Sequence, residues 1–346
     1  MLTNYVSQLI EYVYMNTYSD LHLCAKTLPA IRKNTNIVYL NGNLITDEDV
    51  LSIYTTYCSQ NIDRENKTKA YDFSFEYKDV RFRANLFHDK NGYNISLRLL
   101  KLFSTDFDVL GLPQVLKKVV DKQGGLILFT GPTGSGKSTS MAALVNYLNE
   151  TESKHIITIE DPIEYVFESN KCLINQRQLN EDTISFEKSI VEALRQDPDI
   201  IIVGEMRDKK SIEAALSAAE TGHIVLSTLH TRDAASTIFR IVEMFETDKQ
   251  NQILSQLSSS LLCVLSQQLL PGSNQDRVYL ATELLLANNA IKANIKANKI
   301  QMISNMITLG KSEGMYSMAD SVKKLYQEGK ISRESFDANN KLDFSS

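Results

Sequence analysis

Residues 126–139 read LILFTGPTGSGKST, an apolar run that stops at Gly131 and then delivers Gly-Ser-Gly-Lys-Ser. The run has the length of a buried strand, so residues 126–130 are expected as strand and residues 137–149 as the helix that follows. Between them the spacing G-x-x-x-x-G-K-[ST] is met by Gly131, Gly136, Lys137 and Ser138, in the strand-loop-helix context that a phosphate-binding loop requires. The chemistry dictates these residue types. Backbone N–H groups can wrap a triphosphate only where side chains leave the approach open. Gly131, Gly134 and Gly136 meet that need, with Pro132, Thr133, Ser135 and Thr139 completing the loop. The helix would aim its positive end at the phosphates, Lys137 would neutralise the β/γ oxygens, and the Ser138 hydroxyl would ligate magnesium. At average residue usage the pattern arises by chance in a chain this long about one time in a hundred, which makes nucleotide binding the expected activity.

At 346 residues the chain exceeds one ordinary core, and two domains are expected. Charged residues make up 23% and hydrophobic residues 43%, a globular composition that points away from disorder. The net charge of −5 argues against a nucleic-acid motor, whose phosphate contacts call for a basic surface. No apolar run approaches the roughly 18 residues of a membrane helix, and the opening MLTNYVSQLIEY lacks a signal-peptide pattern, so a cytoplasmic protein is expected. The four cysteines are scattered, without a C-x-x-C pair, and read as reduced core residues.

The first 103 residues read as a small α+β domain. In residues 2–16, Leu2, Val6, Leu9, Ile10 and Val13 recur at helical spacing, and residues 19–23, with His22 between two leucines, open a strand region. A helix is expected over 47–60, capped by Thr46 or Asp47. Beyond the polar stretch 63–69 come YDFSFEYKDVRFRANLF and YNISLRLLKLF, with Asn91-Gly92 as a hairpin signal. Alternation places Val80, Phe82, Ala84 and Leu86 on one strand face and Arg81, Arg83 and Asn85 on the other. The two arginines either line a solvated face or meet a neighbouring subunit's nucleotide, where a guanidinium matches a phosphate bidentately. Residues 104–113, STDFDVLGLP, read as a linker, leaving 114–346 as the second domain, with a core to about 288 and C-terminal helices over 289–346.

In that domain a helix is expected over 114–122 and a buried strand over 155–159, ending in Glu160-Asp161-Pro162-Ile163-Glu164. Carboxylates at a strand's C-terminal end sit where α/β sheets place ligands, although such residues also serve as helix caps. After a helix over 185–196, residues 200–203 form four apolar positions running into Gly204-Glu205-Met206-Arg207-Asp208, a Walker B pattern in which Gly204 replaces the usual Asp. The water shell of the metal must then be held by Glu160, Asp161 or Glu164, and Glu205 is free to orient and deprotonate an attacking water, a role worth about 10²–10⁴ in rate. A helix over 210–221 leads to a strand with His223 and His230 at its two ends; an imidazole there either reports the γ-phosphate or caps and packs. Residues 234–245 and 250–270 are expected as helices, the latter long and apolar; 271–276 as a turn; 278–286 as the last strand; and 289–339 as two or three amphipathic helices.

The succession GPTGSGKST, ITIEDPIEY, ALRQDPDIIIVGEMRD and AETGHIVLSTLHT resembles the Walker A, Asp box, Walker B and His box of the secretion-ATPase superfamily that powers type II and type IV secretion and type IV pili. SDLHL, DFSFEY, RFRANLF and GMYSMADSVKKLYQEGKISRE extend the resemblance over nearly the whole chain, which looks most like the PilT-type pilus retraction ATPases. Pilus-assembly and type II secretion ATPases are longer and usually carry a paired C-x-x-C metal module, which this sequence lacks. The resemblance implies a PAS-like first domain, a RecA-like second domain, a homohexamer with ATP and Mg²⁺ near subunit interfaces, and an inner-membrane platform protein as partner. It also implies arginines donated across the interface, for which Arg81, Arg83, Arg98, Arg195 and Arg207 are candidates; such a charge is worth about 10³–10⁵ in rate. One departure stands out: the A-I-R-N-L-I-R-E motif of retraction ATPases is here Ala290-Ile291-Lys292-Ala293-Asn294-Ile295-Lys296-Ala297, which puts any bidentate guanidinium role in doubt. The expected function is ATP-driven pilus retraction, with assembly or secretion as the alternative.

Overall fold

The computed structural model describes residues 1–33, 36–58, 68–78, 80–100, 105–274 and 277–340. The expected helix end at 59–60, most of the polar stretch 63–69, strand residues 101–103, linker residue 104, turn residues 275–276 and the tail 341–346 lie outside them. The chain divides into two compact units, Met1–Phe103 with Pro162–Tyr165 and Ser104–Asp161 with Val166–Ser346.

The first unit contains α1 (Asn4–Asn16), β1 (Asp20–Cys24), β2 (Ala30–Lys33), β3 (Asn36–Tyr39), α2 (Asp47–Tyr57), β4 (Tyr71–Tyr77), β5 (Val80–Asp89) and β6 (Gly92–Leu100). Among the described residues the strands form one antiparallel sheet, ordered β3-β2-β1-β6-β5-β4. Alternation along β5 buries Phe82, Ala84 and Leu86 against Val6, Ile10 and Ile53 of the two helices, in a core that also holds Tyr54. Thr46 caps α2 and exchanges hydrogen bonds with Asp49 in a capping box. The β5–β6 turn falls one residue earlier than the Asn-Gly signal suggests. Asp89 pairs with Gly92, so Lys90 and Asn91 make the turn and Gly92 opens β6. A side chain at Gly92 would strike the Asp47 carboxylate, which accepts from the Tyr93 N–H at 2.7 Å.

The second unit runs α3 (Val115–Val119), β7 (Gly125–Thr130), α4 (Lys137–Thr151), β8 (His155–Glu160), β9 (Leu173–Gln178), α5 (Phe186–Ala193), β10 (Ile200–Val203) and α6 (Lys209–Glu220). It continues with β11 (Ile224–Leu229), α7 (Ala234–Glu243), α8 (Thr247–Ser260), β12 (Leu261–Pro271), β13 (Val278–Leu286), α9 (Asn289–Lys296), α10 (Ile303–Leu309), α11 (Met318–Gln327) and α12 (Arg333–Asn340). Its sheet is ordered β13-β12-β7-β11-β10-β8-β9 and is parallel except for β13. Helices cover both faces, because each central strand is apolar on both. Leu126 and Leu128 of β7 enter one core with α5 to α10, while Ile127 and Phe129 enter the other with α3 and α4. Phe129 is fully buried, and truncating it to alanine would cost about 3–5 kcal/mol.

Three expectations are corrected. The long helix over 250–270 is α8 followed by the strand β12, which pairs with β7 on one side and β13 on the other. A strand buried on both faces and an equally apolar helix segment present the same uninterrupted run, so periodicity does not separate them. The strand β9 carries the polar sequence LINQRQ and gives no apolar signal, yet it pairs along the whole of β8. The region after β13 holds four α-helices rather than two or three, and α3 is shorter than the expected 114–122. No helix among the described residues is long and apolar enough to cross a membrane.

Candidate active site

The C-terminal ends of β7, β11, β10 and β8 lie side by side, since their registers align Thr130 with Leu229, Val203 with Ser227 and Ile159 with Val203. The phosphate loop leaves from β7. Gly131, Gly134 and Gly136 have φ of 144°, 80° and 88°, values that β-carbon-bearing residues rarely adopt. At Gly131 an added Cβ would also collide with the Gln267 carbonyl oxygen of β12. The Ser135 N–H donates back to the Pro132 oxygen (3.2 Å), while the buried Ser135 hydroxyl has no hydrogen-bond partner. Gly136 caps α4; Ser138 and Thr139 lie half-buried in its first turn, and Pro132 and Thr133 are exposed. A cradle without side chains, an orphaned hydroxyl and the positive end of a 15-residue helix fit a phosphate chain.

Lys137 is only 8% exposed, and its ammonium donates to the oxygens of Gly131 (2.8 Å) and Pro132 (3.1 Å) and to Nδ1 of His230 (3.4 Å). On the other side of the ring, His230 Nε2 stands 3.2 Å from Oε1 of Glu205. An ammonium cannot accept, so Nδ1 must, and the neutral ring carries its hydrogen on Nε2 and donates to Glu205. The second Glu205 oxygen accepts from Arg207 Nε at 2.8 Å, and Arg207 Nη1 lies 3.7 Å from Asp161. Lys137, His230, Glu205, Arg207 and Asp161 therefore form one connected line from the phosphate loop to the end of β8, in which Glu205 accepts from both sides and Arg207 pairs with both carboxylates.

Glu160 lies beside this chain. It accepts from the Thr158 hydroxyl (2.7 Å) and the Gln176 amide (3.2 Å). Gly204 explains the atypical Walker B sequence: a Cβ there would come within 3.3 Å of the Ile159 oxygen and 3.4 Å of the Glu160 Cα. A side chain at 204 would therefore press on the end of β8 beside Glu160.

The other expected residues are dispersed. Glu164 falls in Pro162–Tyr165, which belongs to the first unit. His223 precedes β11 at its N-terminal end, so the six residues of that strand, about 20 Å at ~3.3 Å each, separate it from the phosphate-loop edge. Within one subunit it is not a γ-phosphate sensor, because the ends of a parallel strand face opposite edges of the sheet. Arg195 follows α5, exposed, at that same far edge. In the first unit Arg81 is held by Ser74 (2.7 Å) and Glu76 (3.2 Å), Arg83 stands 4.0 Å from Asp72, and Arg98 binds Asp20 at 2.9 Å. Sequence reasoning missed Gln267, whose amide donates to the Ser140 hydroxyl below the loop, because its strand reads as a helix; Gln176, because its polar strand gives no apolar signal; and Thr158, because its strand reads for burial alone. Among the described residues no group of three His, Cys, Asp or Glu side chains is gathered to hold a metal.

The description "Type II/IV secretion system protein" fits residues 67–339 of the chain. The chain belongs to the type II/IV secretion system protein family. Within this family it is 42% identical over 332 residues to the type IV pilus retraction ATPase PilT of Pseudomonas aeruginosa, covering 95% of this chain and 96% of that protein. A twitching motility protein of Neisseria gonorrhoeae is 41% identical over 313 residues, 88% of this chain and 82% of that protein. Among solved structures of the family, the pilus retraction motor PilT with bound ADP superposes with a TM-score of 0.85 at 41% identity, over 95% of each chain. The chain is thus a PilT-type member of the secretion family.

Proposed function

We propose that this chain is a magnesium-dependent ATPase motor that retracts type IV pili, converting ATP and water to ADP and phosphate. The single observation that carries the reading is the hydrogen-bonded line from Lys137 through His230 to Glu205, which joins the group that would grip the phosphates to the group that would activate water. The names of the PilT and twitching relatives and the ADP-bound structural neighbour support it. Magnesium bound with the nucleotide supplies charge neutralisation on the phosphate oxygens. Ser138 would hold the ion, with Glu160, Asp161 and Glu205 taking its water shell. Lys137 then exchanges its loop carbonyls for phosphate oxygens, and His230 transmits that exchange to Glu205.

The domains are read as PAS-like over 1–103, a linker over 104–113, and RecA-like from 114, with a helical C-terminal segment. The working form is a homohexamer in the cytoplasm at the inner membrane, docked on the pilus platform protein, with no nucleic-acid partner. Arg81, Arg83, Arg98 and Arg195 are the candidates for donation across the subunit interface, whereas Arg207 acts within the subunit on Glu205. Purified Lys137→Ala protein is expected to lose ATP hydrolysis by a hundredfold or more, and normal turnover would sink the site. In cells, deletion of the gene should leave surplus pili that fail to retract; bald cells would point to pilus assembly instead.

A further inference from the structure

We infer that Gln176, on the edge strand β9, is a positioning residue that aims the Glu160 carboxylate at the metal side of the site. The inference rests on the ATPase reading above. The parallel register of β8 and β9 sets Thr158 directly beside Gln176. Thr158 and Glu160 are two residues apart on β8 and so share a face of the strand. Both neighbours act on one atom: the Thr158 hydroxyl donates to Glu160 Oε1 at 2.7 Å and the Gln176 amide nitrogen at 3.2 Å. Thr158 is 1% exposed, so its hydroxyl is committed to this contact. The orientation of the Gln176 amide is set as well. Its oxygen accepts the Phe167 N–H at 2.8 Å, which turns its NH₂ toward Glu160.

Glu160 and Phe167 are the residues at which the chain departs from β8 and returns toward β9. One amide therefore clasps both ends of residues 161–166. A slip of β9 by a single residue would turn Gln176 to the opposite face and release both contacts. Gly204 lies against the same residue: a Cβ at 204 would stand 3.3 Å from the Ile159 oxygen, 3.4 Å from the Glu160 Cα and 3.8 Å from the Glu160 Cγ, so the end of β10 packs directly on the Glu160 backbone and side chain. A glutamate has one more rotatable bond than an aspartate, so a Glu160 carboxylate that serves the metal needs donors to fix it, and Thr158 and Gln176 supply them.

The test uses the full chain with ADP and Mn²⁺ as the metal probe, Mn²⁺ affinity being read by electron paramagnetic resonance and ADP affinity measured separately in EDTA. Outer partners of metal-binding carboxylates are worth about 10–100-fold in metal affinity. Gln176→Met is expected to weaken Mn²⁺ binding in the ADP complex at least tenfold, while ADP binding in EDTA stays within about twofold, because the phosphate loop is untouched. Thr158→Val, which keeps shape and removes the other donor, is expected to shift Mn²⁺ affinity in the same direction, and it decides the matter if Gln176→Met does not fold. Folded variants with wild-type Mn²⁺ affinity would overturn the inference and leave the ATPase reading standing. A wild-type protein that binds neither ADP nor Mn²⁺ would overturn both.

Discussion

His223 and His230 bracket the same strand, β11, yet they do different work. His230 is held between an ammonium and a carboxylate, 3.4 Å from Lys137 and 3.2 Å from Glu205. His223 faces the residues that end α6: its Nδ1 lies 3.2 Å from both the Thr221 hydroxyl and the Ala218 oxygen. One ring joins two groups of opposite charge; the other closes a helix whose last carbonyls need donors. The difference is one of edge. In a parallel sheet all C-terminal strand ends open on one side, so residues just past β7, β8, β10 and β11 converge while residues just before them lie at the opposite edge. Residue type and distance from a strand do not settle function; the direction of the chain does.

The largest expected effect lies at the C-terminal edge. Glu205→Gln keeps the shape but removes the base and one of the two acceptor oxygens, so kcat should fall by about 10²–10⁴ with ADP affinity unchanged. Single-turnover hydrolysis beside ADP titration checks it, and parallel loss of both would mean that Glu205 serves binding instead. The two histidines give the next contrast. A hydrogen bond to a charged group is worth about 1.5–3 kcal/mol, so His230→Ala should lower kcat about tenfold or more. His223→Ala should leave kcat within about twofold and cost about 1 kcal/mol of stability, read by denaturant unfolding. Equal kinetic losses from the two variants would break the contrast between edges.

Two arginines sharpen it further. Arg207 is 57% exposed, and solvent-screened pairs of this kind are worth about 0–1 kcal/mol. Arg207→Ala should thus reduce kcat by no more than about fivefold. Arg195, at the other edge, has no side-chain partner among the described residues. Arg195→Ala should leave nucleotide binding by the isolated chain unchanged. A steep loss of turnover that appears only in the assembled protein would give Arg195 a role across the subunit interface, and hydrolysis rates across a protein dilution series separate the cases.

The same asymmetry governs what could be read in advance. Apolar strands with a clear period or length were legible: β10 spans Ile200–Val203 as expected, and β5 buries the predicted face. The phosphate loop was legible because its glycines answer a local conformational need. The strand β12 was not, since its strand character comes from pairing with β7, more than a hundred residues earlier, and its apolar run reads equally as a helix. Gln176 was invisible for a related reason: its role depends on register with Thr158, which no spacing along one strand encodes. Conversely, His223 stands in the same AETGHIVLSTLHT stretch as His230, but its place before β11 puts it at the opposite edge of the sheet.

The smallest effect concerns Lys292, where retraction ATPases have arginine. Its ammonium donates a single hydrogen bond, 3.1 Å, to the Ser259 oxygen near the C-terminal end of α8, a contact that needs no bidentate fork. Burial, with the nearby Lys122 charge, holds the Lys292 pKa below the ordinary lysine value. A lowered pKa in the folded state means that the unfolded chain binds the proton more tightly. The contribution of Lys292 should therefore become more favourable as pH climbs from neutral toward about 10.4, the ordinary lysine value. Thermal melts of wild type and Lys292→Met between these limits should show the difference in Tm moving in favour of wild type as pH rises, with kcat within about twofold at neutral pH. If Lys292→Met instead abolished hydrolysis at neutral pH, the altered 290–297 segment would belong to the catalytic cycle, and the far edge of the sheet would have to be counted as part of the motor's working surface.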